Sequence, residues 1–417
     1  MTEHSRSTEL LRALAEEEGR RDPYPLYDEL RQLPVAYDDH HKAYVVTGYA
    51  DCRTALSGRD FDRPASDFFD RRIPGWREHP AIVCGSRMMQ FGDAESHARR
   101  RGAVADYFTL RRVRALVRQE EADVERLLDD LAGAFERDGV VDLQAGLSVR
   151  LPSVTIAALF GIPEEDATRF RPLVMAIVAG LEPGLTPQQL TACDHAYARL
   201  HDYFARVVAE RRRVRRDDLS GHIVASHDAG APTGLLAEEI VPMFLSLFAA
   251  GTMNTGSFIG NGAVALLSTP GQAELLRRDP ERAEDAVTEI LRYDAPMQFT
   301  RRTTVADTEI GGTAVPRGSH LAVALGAANR DPSVYADPHA FRIGRPGPTP
   351  LSLGGGRFYC IGAALGRQEG SLVFRRLFRR FPTLRLAGTP VPNLRAVLRG
   401  YLEVPVALEA GATGAAA

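Results

Sequence analysis

The strongest pattern in the chain is a stretch from Ile240 to Pro270 that contains no charged residue. Such a length could span a bilayer. Its interruption by Pro242, Ser246, Thr252, Asn254, Thr255, Ser257 and Asn261 instead predicts a helix buried on every side in a large globular protein. Apolar residues at helical spacing mark further helices over 115–137, 143–159, 170–178, 190–215 and 363–380, and shorter ones over 24–30 and 51–56. Asp279-Pro280 supplies an N-cap and an N1 proline for another. Strand signals are few. They comprise a hairpin within 35–46, short strands near 308–310 between glycine and proline turns, and strands over 398–406. The pattern predicts a mainly α fold with a small β region.

Between residues 62 and 90 prolines and glycines break any period, yet Phe68, Phe69, Trp76, Val83, Met88 and Met89 are apolar. A long apolar loop of this kind reads as a pocket wall or as a flap packed on itself. Residues 190–215 read equally as part of a lid or of a structural bundle. The segment Gly180–Gly184 reads as a loop that breaks the preceding helix, and the Ala/Gly-rich end after Glu409 as frayed.

Composition narrows the class. The 417 residues contain no linker, repeat or low-complexity block, which predicts one domain with an ordered core over about 20–408. A net charge of −3 leaves no footprint of a nucleic-acid binder. Four scattered cysteines lack metal-finger spacing and suit a reducing compartment. The polar start, Met1 to Arg21, has no apolar signal core, so the expected location is the cytoplasm, off the membrane.

The candidate chemistry sits in Leu353-Gly354-Gly355-Gly356-Arg357-Phe358-Tyr359-Cys360-Ile361-Gly362. The glycines permit a tight turn and close approach of another body. A cysteine entering a helix faces unpaired N–H groups and the positive dipole end, which stabilise a thiolate suited to a soft or redox-active metal. A lone cysteine is also commonly a small buried hydrophobe. A phosphate loop is disfavoured, because Gly-Lys-Ser/Thr is missing. Upstream, His97 and Arg101 share a helix face, and Glu289 and Arg292 form an i,i+3 pair. Either pair alone reads as an ordinary solvated one.

Taken in order, these motifs resemble the cytochrome P-450 family over roughly residues 20–408. The glycine loop resembles the family's haem-ligand loop, with Leu353 where Phe is usual and Phe358 where a His or Arg is usual. The resemblance implies haem b ligated by Cys360, propionates held by His97, Arg101 and Arg302, with Arg357 covering for Phe358, and cofactor contacts at Ala250, Gly251, Leu353, Gly354 and Gly362. It implies a structural Glu289–Arg292 pair whose third partner is Arg342 or Arg345, since Ala340 replaces the usual Arg. It implies catalytic positions at Asn254 and Thr255, with Met253 and Asn254 replacing the usual acid–alcohol pair. The substrate side is expected at Val83, Met88, Val178, Ala250, Asn254, Gln298, Phe299 and Leu398. Electrons are expected from a ferredoxin and its reductase, docking on Arg100, Arg111, Arg112 and Arg114. The central helix resembles the branch that oxidises cyclic dipeptides (diketopiperazines), which makes oxidative coupling of such a small molecule the first expectation. A hydroxylase or epoxidase of a polyketide or terpene is the alternative, and a haem protein that does not oxygenate, or uses peroxide, the next.

Overall fold

The computed structural model describes residues 3–39, 42–180, 185–228, 230 and 234–409. The helix Ile240–Leu267 packs against the helices Arg150–Phe160, Pro187–Arg213, Ala283–Tyr293 and Ala363–Arg380. Phe244 and Phe248 insert into one apolar core with Phe160 and Phe204, while Phe258, Ile259 and Leu266 join a second with Leu128, Ile290 and Phe374. Serving two cores, the helix has no solvent face, which is why its sequence shows no polar stripe. Each fully buried Phe or Leu contributes about 1.5–3 kcal/mol. Among the described residues no single helix is long and apolar enough to cross a membrane; one pair bent by 115°, Gln144–Phe160 with Glu164–Ala179, meets that test by length and composition only.

The β structure is divided among small sheets. Five strands are ordered Ala36–Asp38, Ala43–Val46, His320–Ala324, Phe299–Thr304, Phe61–Asp62, with the second and third parallel. Pro405–Leu408 is flanked by Val140–Asp142 and Leu384–Leu386 in a smaller sheet.

Four local expectations need correction. Residues 62–90 are not an irregular loop: they form the helices Ser66–Arg72 and Pro80–Ser86, the second opened by a proline at its first turn. Their aromatic residues Phe68, Phe69 and Trp76 pack with Ile82 and Phe91 in a cluster of their own. The polar N-terminus is helical over Glu3–Ala15 and Glu17–Arg21, with Leu10 buried. The 143–159 helix is split into a π-helical turn, Gln144–Ser148, and Arg150–Phe160; the Ser148 hydroxyl reaches back to the Leu143 carbonyl at 3.4 Å. Asp279 makes no side-chain cap, and Pro280–Arg282 is a 3₁₀ turn before the helix begins at Ala283. The expected loop at 181–184 and the end after Glu409 lie outside the described residues.

Glu289 and Arg292 are a buried pair rather than a surface one, at 3 % and 2 % exposure. Arg292 donates from Nε and Nη2 to the carboxylate at 2.7 and 2.8 Å, and to the carbonyls of Asn329, Pro338 and Ala340. Arg345 completes the group with Nε 3.3 Å from Glu289, while Arg342 contributes only its backbone N–H at 2.8 Å. Removing one member of such a network strands the opposite charge. Arg292→Leu is expected to lower the unfolding free energy by about 3–5 kcal/mol in a denaturant titration; a loss below about 1 kcal/mol would show the pair to be dispensable.

Candidate active site

The glycine loop turns because Gly354 and Gly356 adopt positive φ, +76° and +57°. A Cβ at Gly356 would sit 2.9 Å from the Ser57 Cα, so the loop presses against the end of the helix Tyr49–Ser57. The Cys360 N–H donates to the Leu353 carbonyl at 2.8 Å and closes the turn, and the helix Ala363–Arg380 starts three residues later. Cys52, Cys84 and Cys193 are buried in packing, whereas Cys360 opens onto a cavity. Burial pushes its thiol up, against the Gly362 N–H and the charges of Arg101 and Arg63, which favour the thiolate.

That cavity has a volume of about 360 Å³, within the roughly 300–1,000 Å³ of a site for one small ligand. One wall is the central helix from Ala249 to Thr255; another is the cysteine loop. His97, Arg63, Arg101 and Arg302 also line it. The Phe358 ring is their hub: His97 meets it edge-on at 4.6 Å, and the Arg63 and Arg302 guanidiniums lie 5.0 and 4.9 Å from its centre. Burial lowers the pKa of Arg302 far below normal and that of Arg63 to about 10. Neither has a carboxylate ion pair among the described residues, and the Nε of each is buried without a partner. His97 is pushed down to about 3 by burial and by the neighbouring arginines, so it is neutral at physiological pH. A free thiol beside cations that lack an anion fits a prosthetic group with a soft metal and carboxylate arms.

The Cytochrome P450 family profile matches residues 166–396, just over half the chain. This chain belongs to the cytochrome P450 family. It is 34% identical to 6-deoxyerythronolide B hydroxylase of Saccharopolyspora erythraea over 93% of this chain and 96% of that one. It is 32% identical to the cytochrome P450 monooxygenase PikC of Streptomyces venezuelae over 92% and 91%. The solved structure of Mycobacterium smegmatis CYP164A2 superposes with a TM-score of 0.86 at 31% identity, covering 96% of this chain and all of that one. The family consists of oxidoreductases that hold haem through an axial cysteine thiolate.

Against the P450 frame, the cavity brings together Cys360, His97, Arg101, Arg302, Ala250, Gly251, Asn254, Thr255, Val178, Leu353, Gly354, Phe358, Gly362 and Leu398. Arg101 donates to the Tyr359 carbonyl at 2.7 Å, bracing the cysteine loop. Arg357 does not take the place expected of it: it donates to the Phe61 carbonyl at 2.8 Å and stands 3.7 Å from Asp62, outside the cavity wall. Arg63 lines the cavity instead. Val83 packs with the aromatic cluster, and Met88 points into the core while Met89 lines the cavity. Gln298 is buried, donating to the Ala295 carbonyl at 2.7 Å and accepting from Tyr27 at 3.3 Å, and Phe299 borders a neighbouring chamber. Arg100 is no docking residue. It is buried against Glu239, and although burial opposes it, Arg99 and Arg100 hold that carboxyl down to about 2.

The sequence reading placed Met89 in a pocket wall but missed Arg63, Gln90, Thr155, Ile156, Met297 and Glu369. For Glu369 a signal existed: it shares a helix face with the apolar Leu365, Leu372 and Val373. It accepts a hydrogen bond from Thr155 at 3.0 Å, and burial plus the nearby Glu120 push it up to about 8. An acid raised on folding stays protonated while the unfolded chain ionises, so its stabilisation is present at low pH and lost as pH rises from about 4.5 through about 8. Glu369→Gln, which still accepts from Thr155, is expected to flatten the loss of thermal stability between pH 6 and pH 9. An unchanged slope would place the titration elsewhere.

Proposed function

We propose that this P450 is a monooxygenase in which Cys360 is the axial ligand, Arg63, Arg101, Arg302 and neutral His97 hold the haem carboxylates, and an apolar secondary metabolite is hydroxylated. The observation behind this reading is the convergence of one accessible thiol and a cation cluster without counter-charge on a single cavity. Bound haem supplies the iron at which dioxygen is activated, and a thiolate ligand favours O–O cleavage. The protein residues orient the substrate and manage water and protons.

Val178, Ile156, Leu247, Met297, Val397 and Leu398 offer an apolar wall for the substrate. On the central helix the Asn254 amide donates to the Ala250 carbonyl at 3.1 Å, leaving its Oδ1 buried without a donor. That oxygen can hold a water, and the Thr255 hydroxyl borders the same cavity. Neither Met253 nor Asn254 can supply a replenishable proton, so water ordered by Asn254 and Thr255 takes that role. The relatives named 6-deoxyerythronolide B hydroxylase and polyketide biosynthesis cytochrome P450 PksS favour a polyketide-type substrate. The missing acid–alcohol pair favours the second reading, oxidative coupling of an aromatic diketopiperazine without oxygen insertion. A ferredoxin is the proposed electron donor, with exposed Arg111 and Arg114 available to it; Arg112 is engaged by Asp217 at 3.0 Å. Four free cysteines suit the cytoplasm.

Haem-loaded protein with ferredoxin, its reductase and a macrolactone or diketopiperazine panel is expected to give a product one oxygen heavier. Cys360→Ala is expected to abolish both that product and the thiolate-type absorption. Loss of two hydrogens from a diketopiperazine would move the assignment to the second reading, and thiolate-type absorption surviving in Cys360→Ala would overturn the ligand assignment.

A further inference from the structure

A second chamber adjoins the cysteine cavity. Arg63, Gln90, Met297, Thr300 and Val397 wall both, so the two meet there. Its lining is largely apolar, with Leu11 and Leu14 from the first helix, Tyr27, Phe68, Phe91 and Phe299. Set into that lining are six arginines, Arg20, Arg63, Arg72, Arg301, Arg395 and Arg399, against one acid, Asp38.

The arginines differ in how they are satisfied. Arg399 is neutralised by Asp294 at 2.7 Å, and Arg301 lies over the Phe68 ring at 4.9 Å. Arg63 belongs to the cluster around Phe358. Among the described residues, Arg20 donates to the Leu394 carbonyl at 3.4 Å and Arg395 to the Met175 carbonyl at 3.3 Å, and neither has an ion pair. The Arg20 Nε and the Arg395 Nη1 are buried without partners. Arg72 stacks on Phe68 at 5.1 Å, and burial lowers its pKa against the opposing pull of Asp38. His320, also in the wall, shares its Nδ1 with Thr303 at 2.9 Å. Arg20, Arg72 and Arg395 are half-buried, and a cation partly removed from water is stabilised by an anion that meets it.

We infer that this chamber seats the carboxylate of an aliphatic acid substrate, with Arg72, Arg395 and Arg20 as its cationic partners and the chain passing Met297 and Val397 into the cysteine cavity. Guanidinium groups pair with carboxylates through charge-assisted, often bidentate hydrogen bonds, while the apolar walls accept the methylene chain. This rests on the monooxygenase reading, because it supposes that the far end of the molecule is the end that reacts. Within the polyketide-type class it favours open-chain molecules with an apolar body and a free acid at one end over macrolactones, whose carboxyl is closed into the ring.

Equilibrium dialysis of the haem-loaded protein against dodecanoic acid and its methyl ester tests this directly. The acid is expected to bind at least ten-fold more tightly than the ester. Arg395→Gln and Arg72→Gln, made separately so that a folding failure in one leaves the other informative, are each expected to shrink that ratio several-fold while thiolate-type absorption is kept. Equal affinity for acid and ester, or a ratio unmoved in both variants, would overturn the carboxylate site. Loss of the thiolate signature in the parent protein would instead overturn the haem reading, so the two failures are distinguishable.

Discussion

Uncompensated positive charge governs this structure. Several buried arginines are matched by carboxylates: Arg292 by Glu289, Arg211 by Asp218, Arg399 by Asp294 and Arg100 by Glu239. Arg302 and Arg63, packed on the Phe358 ring, have none among the described residues. Arg302 and Arg63 beside an accessible thiol, like the half-buried Arg20, Arg72 and Arg395 of the neighbouring chamber, lack an anion among the described residues, which points to an acidic partner that the chain does not itself supply. The haem of the P450 family has that chemistry.

The paired arginines form the frame that keeps the unpaired ones in place. The Glu289–Arg292–Arg345 group ties the helix Ala283–Tyr293 to the segment around Ala340. Asn329 receives Arg292 on its carbonyl, and its own side chain donates to Ser352 at 2.6 Å and accepts from the Leu351 N–H at 2.7 Å, next to the glycine loop. Arg302 in turn donates to the Leu56 carbonyl at 3.4 Å, on the helix end against which Gly356 packs. Cys360 is thus placed by hydrogen-bonded supports on both sides of the loop rather than by the loop alone.

Elements whose signal is local were legible in the sequence, namely the charge-free central helix and the helix after Cys360; His97, Arg302 and Cys360 were expected only through the family resemblance, and all three line one cavity. The third partner of Glu289 was narrowed to two residues, and Arg345 is the one whose side chain serves. What could not be read depends on which way a side chain turns in three dimensions. Met88 and Met89 are adjacent and both apolar, yet only Met89 meets the cavity. Arg63 and Arg357 come to the same Phe358 ring from distant parts of the chain, and only the fold shows that Arg63 faces inward. In the segment 62–90 prolines and glycines hide two short helices, Ser66–Arg72 and Pro80–Ser86, whose Phe68, Phe69 and Ile82 meet Trp76 and Phe91 in one cluster.

The most direct test of the charge argument is the stability of Arg302→Met measured twice, without haem and with it. If the guanidinium is held for the carboxylates of haem, the haem-free variant melts at a higher temperature than the haem-free parent, because an unpaired buried charge has been removed. The same variant then releases haem faster than the parent. A haem-free variant that is less stable than its parent, with haem release unchanged, would mean that Arg302 serves the fold alone and would contradict the account.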